Sequence, residues 1–265
     1  MQEFMDYSQY EAEIYAKLQP LGDPSRSAFV KNYMKSQLEF LAIKVPVMRQ
    51  IAREGFSFYS QSPEEVLAVW NAIWFSSKSF EMMCMPLFYY GRQGRRISPA
   101  TWATLSTWSQ HVENWAHSDS LSSIYSYLLA QKFDEVYGVL QQWNNAENQW
   151  LRRLSMVSLI HYSGKKAVFL PLDKVLPMLE NCLNDERPYV QKAIGWVLRE
   201  ANYVYHAEIS AFIEQHLAEL RSVAFSAAVE RFSVAERGAF IERRKAMRAQ
   251  SKIVIDRLEV GRETA

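Results

Sequence analysis

Apolar residues recur at helical spacing along almost the whole chain, and this restricts the fold more than any other feature. Between 64 and 75, Val66, Leu67, Trp70, Ile73 and Trp74 fall on one helix face. No stretch alternates with period two for more than a few residues. The chain therefore reads as all-α. The breakers between helical stretches are short: Pro20 to Pro24, Ser62–Pro63, Gly91 to Gly94, Ser98–Pro99, Ser163–Gly164 and Pro171. Asp23, Ser62 and Ser98 each precede a proline, so each can cap a helix with Pro at its first position. Only 9 glycines occur in 265 residues, few for a many-stranded sheet protein or a glycine-rich phosphate loop.

The helical segments also repeat. Phe80, Trp115, Trp150 and Tyr189 each open an amphipathic stretch, at spacings of 35, 35 and 39 residues. That is the length of a helix pair of the HEAT or armadillo kind. Such pairs bury their apolar faces against neighbouring pairs and stack into a solenoid with a concave groove. A helical bundle with coincidental spacing is the competing architecture.

One position in this register is out of character. Four residues after each opening aromatic stand Cys84, Asp119, Leu154 and Ala193. Three are small or apolar, as a core-facing position requires. The carboxylate of Asp119 is costly to bury alone, so it either reaches the groove or has a partner. His117, between Trp115 and Asp119, points to another helix face and is not a base for the same site.

Composition narrows the function classes. Hydrophobic residues at 49% and charged residues at 22% describe a folded chain. Cys84 and Cys182 make no disulfide framework, and the 5 histidines show no metal-ligand spacing, so no metal is expected. The acidic, polar start does not resemble a signal peptide, and no apolar run is long enough for a membrane helix. A cytoplasmic protein is expected. The net charge of +1 conceals a basic stretch at 237–252, with Arg237, Arg243, Arg244, Lys245, Arg248 and Lys252 against Glu242 alone. From about 233 the chain reads as a basic helix with a loose apolar stripe of Phe240, Met247, Val254 and Leu258. This tail could serve as a DNA arm, an oligomer contact or a solvated helix.

Four motifs in register carry a resemblance. They are Tyr33–Met34–Lys35 followed by Phe40 to Pro46 and Arg49; Trp115 with Asp119–Ser120; Trp150–Leu151–Arg152–Arg153; and Gln191–Lys192 running into AIGWVLREA at 193–201. In order and spacing, over about 25–232, the sequence resembles the bacterial DNA alkylation-repair proteins, the AlkD type of HEAT-like-repeat DNA glycosylase. Pro188–Tyr189 departs from the family pattern, and the tail has no counterpart in it. The resemblance divides the chain into a repeat domain at 1–232 and a helical extension at 233–265.

The resemblance implies binding of double-stranded DNA and hydrolysis of the N-glycosidic bond of cationic N3- or N7-alkylated purines, without flipping the base. It puts Trp115, Asp119 and Trp196 in the catalytic places. Arg153 takes a DNA-contact place and Tyr33 a place at the cleft edge; read as a side chain alone, Arg153 could also pair with Asp119 or Glu147, and the two roles do not exclude each other. Lys35, Arg49, Tyr189 and Lys192 are further DNA-binding candidates. Lys31, Lys44, Arg53, Arg92, Arg95, Arg96, Lys165 and Lys166 are candidate phosphate contacts. No cofactor is implied, and a monomer is the default expectation.

The residue types suit that chemistry on their own terms. A cationic purine leaves without a general acid, and the sugar left behind takes on oxocarbenium character. A fixed carboxylate stabilises that charge and can orient water. Indole faces attract cations, and an arginine fork clamps a phosphate. Two other readings remain open at this stage. One is a non-catalytic repeat protein that binds damaged or branched DNA. The other is a protein-binding scaffold, which rests on the architecture alone.

Overall fold

The computed structural model describes the backbone of residues 7–263 and the side chains of residues 7–249. The described residues form α-helices and short 3-10 turns, with two isolated bridges, Glu39 to Ser79 and Ile160 to Val168, in place of strands. The chain divides into two compact units, Met1–Ser158 and Leu159–Ala265.

The first unit holds α1 (Ser8–Leu18), α2 (Pro24–Met34), α3 (Val45–Glu54), α4 (Pro63–Ser76), α5 (Phe80–Gln93), α6 (Trp102–Leu105), α7 (Trp115–Gln131), α8 (Phe133–Asn144) and α9 (Gln149–Val157). Helices α3, α5, α7 and α9 each pack on the next in that order. Helix α4 packs on α5, and α8 packs on both α7 and α9. Every second helix therefore belongs to one row and its partners to another, the arrangement that the 35-residue spacing predicts.

Local signals set the helix boundaries. Ser62 and Glu65 form a capping box at the start of α4, with Pro63 at the first position. Asp23 caps α2 by accepting from the Ser25 amide at 3.1 Å, and Asn114 caps α7 by accepting from the His117 amide at 2.9 Å. Asn148 does the same for Trp150 at the start of α9. Ser98 is a correction: it precedes only a 3-10 turn, Pro99–Thr101, and its side chain caps nothing.

An aromatic cluster lies in the core of the first unit. Trp74 and Trp108 stack at 5.1 Å, and their indole N–H groups donate to Trp108 O and Asn71 Oδ1. Buried rings with satisfied N–H groups add area without leaving polar atoms stranded. His117 belongs to this core. It is fully buried, stacks on Phe80 at 4.7 Å, and burial drives its pKa down to about 3.

The second unit holds α10 (Leu172–Glu180), α11 (Pro188–Ala201), α12 (His206–Gln215), α13 (Ser222–Ala228) and α14 (Val234–Glu263). Helix α11 packs closely on α13. A Cβ added at Gly195 would sit 2.6 Å from Ala224 O and 2.8 Å from Ala227 Cβ, so no side chain fits there. In α14 the expected apolar stripe holds at Phe240, which is buried, but fails at Met247, which is exposed. Val254 and Leu258 lie outside the residues whose side chains are described.

Two glycine substitutions separate packing from propensity. Gly195→Ala forces α11 and α13 apart and should destabilise the protein by about 2 kcal/mol or more. Gly138→Ala, in α8 with open space around it, should stabilise by roughly 0.5–1 kcal/mol. Urea unfolding of both variants checks the contrast.

Candidate active site

Trp115 and Asp119 lie one turn apart on α7 and share its accessible stripe with Ser123 and Tyr127, all of them half-buried. The neighbouring faces of α7 are packed into the core, with Ser118, Ser122, Leu121 and Tyr125 fully buried. A carboxylate at this register therefore stands at the margin between core and solvent. The Asp119 side chain is 18% exposed.

Its partner is Arg153 on α9. The guanidinium Nε donates to Asp119 Oδ1 at 2.8 Å, and Nη2 lies 2.8 Å from the same oxygen. Both contacts fall on Oδ1, so Oδ2 is the oxygen available to a further partner. Burial pushes the Asp119 carboxyl above the usual carboxylate range, and the Arg153 charge and hydrogen bond pull it back. Arg153 itself is only 4% exposed. Its guanidinium thus pairs with the carboxylate inside the protein, which qualifies the phosphate-clamp role that its sequence position suggests.

Tyr33, at the end of α2, brings its ring edge-on to Trp115 at 6.3 Å. Two carboxylates that the sequence reading did not single out hold it there. Glu113, just before the α7 cap, accepts from Ser36 Oγ and from the Gln37 and Leu38 amides. Glu81, buried in α5, accepts from the Leu41, Ala42 and Ile43 amides. The loop 36–43 is thereby tied to α5 and to the start of α7. The available signal was Glu81 alone in the apolar run MMCMPL, and Glu113 directly ahead of Asn114–Trp115. Lys35 is exposed in a left-handed conformation that ends α2. Arg49 is exposed on α3, over the Phe88 ring at 5.6 Å.

In the second unit, Tyr189, Lys192, Trp196 and Arg199 form the accessible stripe of α11. Trp196 is half-buried and meets the exposed Tyr162 edge-on at 5.6 Å. Lys192 Nζ lies 5.3 Å from the centre of the Tyr189 ring. A shallow cavity of about 800 Å³ lies elsewhere in this unit, on α13 and α14, lined by Val223, Phe225 and Ile241 among others. Among the described residues, no cluster of His, Cys, Asp and Glu is placed to hold a metal, and no helix is long and apolar enough to cross a membrane.

The sequence model of the family described as DNA alkylation repair enzyme matches residues 14–232. The chain belongs to this DNA alkylation repair family. Among solved structures it is similar to a predicted DNA alkylation repair enzyme from Enterococcus faecalis, with a TM-score of 0.66 and 19% identity over 80% of this chain and 97% of that one. It is also similar to AlkD2 from Streptococcus mutans, with a TM-score of 0.54 and 13% identity over 78% and 99% of the two chains. At these identities the likeness speaks for a shared fold. No curated protein matches the sequence.

Within this member of the alkylation repair family, the ion pair should govern the charge of its carboxylate. Arg153→Met removes the cation and leaves Asp119 mostly buried. The Asp119 pKa should then rise further, and the protein should lose about 3 kcal/mol of stability at neutral pH. Carboxyl-selective NMR titration reads the first effect and denaturant unfolding the second.

Proposed function

We propose that the chain is a monofunctional DNA glycosylase. Its substrates are N3- and N7-alkylated purines in duplex DNA, and it hydrolyses their N-glycosidic bond without extruding the base. The observation that carries this reading is the Asp119 carboxylate, fixed by Arg153 on an accessible helix stripe beside Trp115. The family membership supports the same direction.

The chemistry follows from charge. The alkylated purine is a cation, so its departure needs no proton. The C1′–N bond breaks, its electron pair goes to the purine, and positive charge develops on the sugar. The field of a pre-oriented carboxylate favours that charge more than it favours the ground state. Water then adds to C1′, and its proton passes to the carboxylate or to solvent. Asp119 is suited to this because Arg153 opposes the rise in its pKa that burial causes and anchors Oδ1, leaving Oδ2 to face the sugar or the water. Trp115, with Tyr33 against its edge, offers an aromatic surface for the deoxyribose and its developing charge. Arg153 acts here as a positioning residue for Asp119.

Trp196 joins the proposed set through the family motif in which it stands. Its half-open indole beside Tyr162 is compatible with packing on DNA. Lys35, Arg49 and Lys192 are exposed cations and are proposed as phosphate contacts, with Tyr189 beside Lys192. Such contacts fix position without reading sequence, which suits an enzyme that must search any duplex.

The test is release of N7-methylguanine from a methylated duplex. The wild-type protein should release it, and Asp119→Asn should be slower by at least about a hundredfold. Activity should fall with falling pH as Asp119 takes up its proton, and this limb should lie above the usual carboxylate range because burial raises the group. Binding of the duplex without base release by the wild type would replace the glycosylase reading with one of damage binding alone.

A further inference from the structure

Helix α2 is barely attached to the body of its unit. Among its residues only Met34 is buried. Phe29 is 69% exposed and Tyr33 is 64% exposed, the highest values among the described aromatic side chains. A ring held out in water on a folded helix forgoes the burial that normally places phenylalanine in a core.

The helix is nevertheless held firmly at both ends. Asp23 caps its first turn through Ser25. At its far end the loop that follows Lys35 is gripped by Glu113. At 100° per residue, Arg26, Phe29 and Tyr33 fall within about 60° of one another on the outward face. The helix carries Arg26 and Lys31 and no carboxylate, and Lys35 follows directly. Its outward face is thus aromatic and its charge positive, a combination that suits a polyanion with apolar surface along its backbone. The face is also continuous with the candidate site. Tyr33 touches Trp115, and Phe29 lies one turn, about 6 Å, further from it along the helix.

We propose that α2 is a DNA-docking ledge, with Phe29 packing its ring on the sugar edge of the duplex beside the lesion while Arg26 meets a neighbouring phosphate. This rests on the reading of the protein as one that acts on duplex DNA. Phenylalanine has no hydrogen-bonding group, so the contact reads no base. It adds apolar area next to the nucleotide that Trp115 and Asp119 address and fixes the register of the duplex on the site.

The experiment measures binding of an uncleavable duplex carrying a tetrahydrofuran abasic site, by fluorescence anisotropy. The proteins are wild type, Phe29→Ala and Phe29→Tyr, with thermal unfolding as a control. Phe29→Ala should weaken binding about tenfold. Phe29→Tyr should stay within about twofold of wild type, and the salt dependence should be the same in all three because no charge is removed. Unchanged affinity in Phe29→Ala, or an equal loss in Phe29→Tyr, would overturn the proposal. So would binding of wild type to phosphatidylglycerol vesicles that disappears in Phe29→Ala while duplex affinity stays intact. Because the duplex cannot be cleaved, a failure of glycosylase activity would leave this outcome readable. An absence of any duplex binding by wild type would end the underlying DNA reading instead.

Discussion

A carboxylate cannot be carried to the edge of a helical core without an answering charge, and the Asp119–Arg153 pair meets that requirement in the first unit. The acid projects from α7 and the base from α9, so the pair exists only when these two helices pack side by side. Removing a single partner would leave the other charge stranded at low dielectric. The same contact that joins two helices also orients one carboxylate oxygen and frees the other. In the proposed reaction, stability and chemistry thus meet in a single ion pair.

The rest of the site is arranged around this pair by ordinary means. Asn114 starts α7 one residue before Trp115, which sets where the indole and the acid fall on the helix. Buried His117 holds the opposite side of that first turn against Phe80 and Trp74 and takes no part in proton chemistry at neutral pH. Glu113 and Glu81 bind backbone amides of the loop after α2, so a segment with little apolar burial still holds Tyr33 beside Trp115. A mobile arm could not offer the same pre-organised surface.

The helical periodicity made the fold legible, because spacing alone identifies a helix face whatever its partner. The helix-pair spacing was legible for the same reason. Asp119 could be singled out because a carboxylate stood in a row of core residues. Its partner was legible as one of two choices: Arg153 could pair with Asp119 or with Glu147, and the packing of α7 on α9 brings its guanidinium to Asp119. Ser98 carried a cap signal that the structure does not use, since a cap needs a following helix and Pro99 leads only into a 3-10 turn. Glu81 and Glu113 were hidden because their partners are backbone amides, which leave no trace in side-chain patterns. The exposure of Phe29 was equally hidden, since an aromatic at helical spacing ordinarily marks the buried face.

The central claim is that Asp119 faces a developing positive charge on the sugar. It is tested most directly by comparing two abasic-site duplexes, one with a cationic pyrrolidine in place of the sugar and one with neutral tetrahydrofuran. Wild-type protein should bind the cationic duplex at least about tenfold more tightly, and Asp119→Asn should abolish that preference while binding the neutral duplex normally. Equal affinity of the wild type for the two duplexes would contradict the account.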